Sequence, residues 1–470
     1  MTDTLHAAET RRTAAALPEP LPPPPRRRRL AKLDAVVVLS IYVFLLMLIP
    51  ATETFPALGG LGTPATIFAV LALLWFTAGR LTRRFHLGPE SSAPRKAMCV
   101  FGAAVLMAYL AAATRGAAYV EIQSADRDLI LVTAWAGLVA IASAGITDYE
   151  RLDTLLRRIV IGGSIVAALG IFEFATQINL VKFIQIPGLS ANIADQGSQV
   201  RGDFFRPKAT TSHPLEYGAV LAMLLPFALQ QAFDPKRAGP KTKMKRWLPV
   251  VLMASTMPLT VSRTAMVGVM IVLIVLVPTW EVKRRRPAYV VIVVGTGLIK
   301  VLVPGLLGTI VGLFTSAIGN NDASTQARTG DYAGVEPYIQ ARPIFGRGFG
   351  TFIPTLYRFT DNMYLLAMVE LGAFGVFAII VLYLTAMRSG RVGRKLSTDP
   401  ARRELGQSFT ATFGVALVTS ATFDTMTFMM FSGLTFVLLG CVGSYLGIVR
   451  RERAEQSALA QEQEQAGPLV

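Results

Sequence analysis

A chain of 470 residues that is 52% hydrophobic and only 16% charged, with a mean hydropathy of +0.48, is too apolar for an ordinary soluble domain and fits a polytopic membrane bundle. Its net charge of +16 would suit nucleic acid, but the basic runs Arg26 to Arg29, Lys241 to Arg246 and Lys283 to Arg286 are better read as topology determinants at an anionic leaflet. Membrane lipids, not nucleic acid, are therefore the expected partners, and Cys99 and Cys441, both inside apolar stretches, imply no disulfide framework.

Residues 1–33 are rich in Ala, Pro and Arg, with Pro22 to Pro25 running into four arginines, and are expected to form a disordered cytoplasmic tail. No cleavable signal is apparent ahead of the first apolar run. From residue 34 to 449 the apolar stretches predict twelve transmembrane helices, at about 35–50, 63–79, 97–114, 129–146, 159–177, 214–233, 247–262, 264–280, 288–304, 362–387, 406–423 and 426–449. A second cytoplasmic tail follows at 450–470.

Thirty-four of the 46 Lys and Arg residues fall in the two tails and every second connection, and twelve in the intervening segments. Short cytoplasmic loops retain positive charge, so both termini are expected inside. The stretches 247–262 and 264–280 are separated only by Ser262 and Arg263, yet fusing them would put two basic runs on opposite faces. A tight outward turn with Arg263 at its tip is the expectation.

Two outward connections are long, 178–213 and 305–361, the second lying between helices 9 and 10, and long ordered loops usually carry function. The second loop holds a turn signal at Gly319 to Asp322, a polar stretch expected to be helical up to Pro337, and a glycine-dense run from Arg342 to Gly350. No internal repeat marks inverted transporter halves.

The outward cations are candidates for anion binding, since forked guanidinium donors match phosphate oxygens. Arg201 and Arg206 lie in Arg201-Gly202-Asp203-Phe204-Phe205-Arg206-Pro207, and Arg263 in Thr260-Val261-Ser262-Arg263-Thr264. Solvated loop charges or lipid-headgroup contacts are the bland alternative for each. His213 is the only histidine outside, as His6 and His86 are cytoplasmic; with Pro214 and Glu216 it either starts a helix or serves chemistry. Asp361 opens a later span, where it caps the helix or accepts a proton from a sugar hydroxyl. Glu370 lies nine residues on, about 13 Å deeper at helical rise, and either bonds a neighbouring helix or faces a polar interior. Glu173 is a further intramembrane acid without an assigned role.

Taken together these outward pieces resemble the O-antigen ligase and O-antigen polymerase superfamily of membrane glycosyltransferases. The resemblance is carried by Arg206-Pro207 to His213-Pro214-Leu215-Glu216-Tyr217-Gly218, by Ser262-Arg263, by Arg328, Tyr332 and Pro343-Ile344-Phe345-Gly346-Arg347-Gly348-Phe349-Gly350, and by Asp361-Asn362 to Glu370-Leu371-Gly372. It implies an all-α, GT-C-like membrane fold and transfer of a glycan from an undecaprenyl-diphosphate carrier to a hydroxyl acceptor at the outer leaflet. Residue chemistry adds Arg263, Arg206, Arg328 and Arg201 as diphosphate ligands, Asp361 as the group that engages the acceptor, and His213 and Glu216 in support. Glu370, Tyr364, Gly346 and Gly348 are assigned to structure or the polar interior. No cofactor is expected, and no metal, because the outward acids show no close paired ligand spacing. Ligases of the superfamily commonly carry histidine where Asp361 stands, which tilts the expectation toward a polymerase. A ligase that moves finished polysaccharide to a lipid, wall or protein acceptor is the second reading. A transporter of lipid-linked sugars is a third, although the charges gather at outer ends rather than through the spans.

Overall fold

The computed structural model describes residues 34–82, 92–184, 186–191, 200–201, 204–234, 240–318 and 323–465, so the tail expected over residues 1–33 lies outside the described residues. From Ala35 onward the chain forms one unit built almost wholly of helices. In chain order these are α1 (Ala35–Leu48), α2 (Pro64–Leu81), α3 (Ala93–Thr114), α4 (Tyr119–Gly145), α5 (Tyr149–Thr176), α6 (Pro214–Phe233), α7 (Pro240–Leu259) and α8 (Arg263–Leu276). They continue with α9 (Val282–Leu302), α10 (Leu306–Ile318), α11 (Ala323–Ala341), α12 (Met363–Glu370), α13 (Gly372–Leu396), α14 (Pro400–Thr419) and α15 (Met429–Gln465). The described residues also include short 3-10 helices at Pro56–Leu61, Leu180–Phe183 and Val277–Thr279 and two short antiparallel pairs, β1 (Glu53–Thr54) with β2 (Ser190–Ala191), and β3 (Val200–Arg201) with β4 (Phe204–Phe205).

Each of the twelve apolar stretches is helical, and the starts follow local chemistry. Thr63, Ser92, Asp148 and Asp399 each accept an amide hydrogen bond at the first turn of α2, α3, α5 and α14, and proline occupies the first or second position of α2, α3, α6 and α14. By length and composition α2, α3, α4, α5, α13 and α15 are able to cross a membrane, and α9 with α10 would add one more span bent by 110°. The chain is an integral membrane protein. At the bend Gly305 holds φ +85°, a conformation that costs other residues strain.

The bundle is centred on α6, α14 and the first half of α15, whose side chains are almost all buried. Backbones approach closely where glycine leaves room. A Cβ on Gly440 would meet the backbone of Val139 at 2.9 Å, and one on Gly268 would meet Ala222 at 2.7 Å. Small residues at such crossings are how apolar helices gain contact when lipid is as apolar as they are.

Two elements depart from the sequence expectation. The stretch 362–387 is two helices, α12 and α13, broken at Leu371 and Gly372, where Gly372 holds φ +67°. The helix expected to stop at Pro337 runs through it to Ala341. There Val335 packs with Phe352, Leu365, Leu366 and Val369 in a small separate core, and that burial offsets the hydrogen bond lost at proline.

Candidate active site

The segment between β4 and α6 is held at both ends by carboxylates. Glu173, in the last turns of α5, accepts the Lys208 amide at 3.1 Å and the Ala209 amide at 2.7 Å, and Ala209 sits at φ +48°. Glu216, fully buried in the first turn of α6, accepts the Ser212 amide at 2.9 Å and hydroxyl at 2.8 Å with one oxygen. Its other oxygen takes the amides of Met430 and Phe431 at 2.8 and 3.2 Å. Four donors therefore occupy Glu216, which ties the start of α6 to the start of α15. The carboxylate expected from the sequence to support catalysis is thus the one that holds these two helix starts together. Glu173, unassigned in the sequence, gains its role here as the anchor of the strand that carries Arg206 and Lys208.

His213 is the N-cap of α6, and its Nδ1 accepts the Leu215 amide at 3.1 Å. Burial, with the charges of Arg206 and Lys208 beside it, pushes its pKa down to about 4. The ring is thus neutral at physiological pH, and the bond at Nδ1 assigns its proton to Nε2. In that tautomer the free nitrogen donates. His213 is built to cap and to donate a hydrogen bond, not to replace a base.

Arg206 is buried, and its Nε donates to the carbonyl of Thr260 at 3.0 Å. That carbonyl opens the turn between α7 and α8. Val261 holds φ +47°, a strained position for a buried β-branched residue, and Arg263 is the first residue of α8. Ser262 stands at the N-cap but makes no capping bond. Its hydroxyl, on a residue 1% exposed, has no hydrogen-bond partner. A buried hydroxyl left so costs about 1–3 kcal/mol.

From this turn, bonds lead to Asp361. Thr264 donates to the hydroxyl of Thr422 at 3.0 Å, in the connection between α14 and α15. Two residues earlier, the Ser420 carbonyl accepts the amide of Met363, the first residue of α12, at 2.9 Å. Asp361 lies exposed just ahead of it. The cap of α12 is Asn362, whose side-chain oxygen accepts the amides of Tyr364 at 2.9 Å and Leu365 at 3.3 Å. The capping alternative for Asp361 is thereby taken by its neighbour. Glu216 thus joins the starts of α6 and α15, and the residues between α14 and α15 bond the starts of α8 and α12.

Of the remaining sequence candidates, Arg201 lies in β3 and Arg328 in α11, one turn before Tyr332, whose hydroxyl accepts from Asn362 at 3.4 Å. The side chains of Arg201 and Arg328 lie outside the described residues. Tyr364 donates to the Leu417 carbonyl at 2.6 Å and binds α12 to α14.

The glycine-dense run docks on the break between α12 and α13. Arg347 and Gly348 donate to the carbonyls of Val369 and Glu370 at 3.0 and 2.9 Å, and Ala373 and Phe374 donate back to Pro343 and Ile344 at 2.8 and 3.2 Å. Gly346 holds φ +67°, and a Cβ there would collide with the Glu370 carbonyl. Gly348 holds φ +124° against Ala112. Glu370 accepts the Phe352 amide at 3.0 Å, so the deep acid bonds the loop that covers it.

Another carboxylate that the sequence did not flag organises this loop. Glu121, buried at the start of α4, accepts Arg347 at 2.6 Å with one oxygen and Arg115 at 2.9 Å with the other, and Tyr357 donates to it as well. Arg115 also donates to the Arg347 carbonyl at 2.8 Å, and the Arg347 guanidinium lies 4.2 Å from the Tyr357 ring centre. Arg358 pairs with buried Asp331 at 2.6 Å. Three of the arginines that the sequence analysis expects on the outer face are therefore held by carboxylates.

Residues 248–380 match a family model described as O-antigen ligase. The matched stretch holds the Ser262–Arg263 turn, α11, the glycine-dense run and Asp361, and leaves out Arg206 and His213. No curated protein matches the chain.

Proposed function

We propose that this protein transfers a glycan from a polyprenyl-diphosphate carrier to an acceptor sugar hydroxyl at the extracytoplasmic face of the cytoplasmic membrane, and that it lengthens a polysaccharide. The match of residues 248–380 to the O-antigen ligase family model supports glycan transfer of the ligase or polymerase type. The observation that carries the reading is the run of hydrogen bonds from Arg206 through Thr260 to the α8 start, and from Thr264 through the Thr422 connection to Met363, beside Asp361. In this reading the acceptor oxygen attacks the anomeric carbon while the bond from that carbon to the diphosphate oxygen breaks. Asp361 takes the hydroxyl proton, and Arg206 and Arg263, with Arg328 and Arg201, stabilise the charge that gathers on the leaving lipid diphosphate. Neither metal nor cofactor enters the scheme. His213, as a donor, supports the same anion. The twelve-span topology with both termini cytoplasmic and a GT-C-like arrangement belongs to this proposal, because it puts the arginines and Asp361 on the outer face.

Asp361 standing where ligases commonly carry histidine favours a polymerase, whereas the description of the matched family favours a ligase acting on a lipid, wall or protein acceptor. Reconstitution with a synthetic undecaprenyl-diphosphate glycan separates the two: a ladder of products is expected, and a single transfer to a different acceptor would establish ligation. Movement of the lipid-linked glycan across the bilayer without bond formation would replace both with transport.

A further inference from the structure

Five glutamates among the described residues are buried, and four of them are occupied. Glu121 holds two arginines, Glu173 and Glu216 hold main-chain amides around the start of α6, and Glu370 holds the Phe352 amide. Glu53 is the exception. It is 7% exposed in the connection between α1 and α2, yet no described residue gives its carboxylate a hydrogen bond or an ion pair. A carboxylate so placed has lost most of its water without gaining a protein partner, and that cost calls for an explanation.

The backbone around Glu53 is held from two sides. Glu53 and Thr54 pair with Ala191 and Ser190 of β2, and the Glu53 amide closes a turn onto the Pro50 carbonyl at 3.0 Å. Two residues earlier, Ala51 donates to the Thr210 carbonyl at 2.9 Å, and the Thr210 hydroxyl donates back to the Met47 carbonyl at 2.6 Å. The connection is thereby sewn to the segment that carries Arg206, Lys208 and His213. A carboxylate fixed at its base and unpaired at its tip is preorganised for a donor that arrives with a ligand. The surroundings narrow the kind of donor. A divalent cation of the calcium type takes about six or more oxygen ligands, and among the described residues no group of three or more His, Cys, Asp or Glu could hold a metal ion. An anion is repelled. An ammonium group is a poor match beside a segment whose Arg206 and Lys208 charges already bear on His213. Neutral hydroxyls suit the place best, because the two oxygens of one carboxylate accept from two adjacent hydroxyls of a sugar ring.

We propose that Glu53 is a sugar-recognition residue, whose carboxylate accepts hydrogen bonds from hydroxyl groups of the glycan that the lipid diphosphate carries. The proposal rests on the glycan-transfer reading for the identity of the carrier, whereas the unpaired carboxylate stands on its own geometry. Glu53 is a binding residue in this assignment and takes no part in bond breaking. It reads the sugar and not the diphosphate, so a carrier without a glycan is indifferent to it.

The test titrates the full-length protein in lipid nanodiscs with undecaprenyl diphosphate, once bare and once carrying the synthetic glycan used to follow transfer. The natural chain is expected to bind the glycan-bearing lipid more tightly, and Glu53→Gln to cut that preference about tenfold, the worth of one hydrogen bond to a charged group, with affinity for the bare lipid unchanged. In transfer assays the donor KM should rise by the same factor while kcat stays as it is. Without lipid, Glu53→Gln is expected to melt at the same temperature as the natural chain or higher, since it removes an unpaired buried charge. Glu150→Gln, an exposed acid in the first turn of α5, serves as the control. A preference untouched by Glu53→Gln overturns the assignment, as does an equal loss of affinity for both lipids or the absence of any preference in the natural chain. A lowered melting temperature or failure to fold would show that the carboxylate holds the loop, and overturns it too. Binding of the glycan-bearing lipid that depends on Glu53, in a protein that transfers no glycan, keeps the sugar contact and removes the transfer reading. Glycan transfer with a donor KM indifferent to Glu53 does the reverse.

Discussion

Arg347 and Arg206 are both buried arginines, yet they are held in different ways. The terminal nitrogen of Arg347 goes to the carboxylate of Glu121, which also holds Arg115, and its guanidinium stacks on Tyr357. Arg206 is held through Nε by a backbone carbonyl, and the turn that supplies it has an uncapped helix start beside it. A carboxylate shared between two guanidiniums binds the α4 start to the glycine-dense run and uses up their charge. At Arg206 the group that orients Nε is a backbone carbonyl instead. Counting arginines on one face is therefore a poor guide to an anion site; what decides is the group that orients each one.

The contrast is open to direct attack. Glu121→Ala leaves buried Arg347 and half-buried Arg115 without their shared carboxylate, and the expected loss is about 3–5 kcal/mol of stability, seen as a lower melting temperature and poor recovery of monodisperse protein. A Glu121→Ala protein that keeps its stability and loses only turnover would move this network into the active site. Arg263→Ala is expected to do the opposite, lowering glycan transfer roughly 100- to 1,000-fold with the melting temperature and expression intact, as for removal of one donor to a developing anion. Retained turnover removes Arg263 from the mechanism.

The smallest effect is expected at His213. Its pKa is depressed from 6.5 to about 4, so the stability it contributes is present above pH 6.5 and is lost as the pH falls through 4. His213→Asn keeps an N-cap acceptor and a donor, so transfer at neutral pH should fall less than about tenfold, well short of the loss expected when a general base is removed. The melting temperature of the natural chain should drop between pH 6.5 and 4 by more than that of His213→Asn, with the difference on the order of 1–3 kcal/mol. Parallel curves would show that the ring is not held neutral, and a loss of several hundredfold at pH 7 would restore it as a base.

Much of the fold was legible because an apolar run of membrane length has one backbone solution, the helix. The break at Gly372 was hidden, since glycine inside an apolar run reads as an ordinary span until the partner loop is known. Pro337 misled for the converse reason: the local rule stops a helix, and the packing of Val335 carries it on. For the candidate site, motif order alone singles out Arg206, Arg263 and Asp361 in the sequence. The division of labour between Asp361 and Asn362 was not, because either side chain caps a helix. Glu121 could not be linked to Arg347 from the sequence at all: 226 positions separate them, and no periodicity connects a helix start to a distant loop. Glu173 needed the bonds to Lys208 and Ala209 before its depth made sense.

The seam between the glycine-dense run and the α12–α13 break bears on how a long lipid reaches the site. Four main-chain bonds and the Glu370 carboxylate fasten it, and Gly346 and Gly372 interlock so closely that neither tolerates a methyl group. Prising that seam apart would expose every one of those polar groups, so it behaves as a weld and not as a door. The bend between α9 and α10 at Gly305 is the contrast, since no comparable main-chain stitching fixes that pair among the described residues.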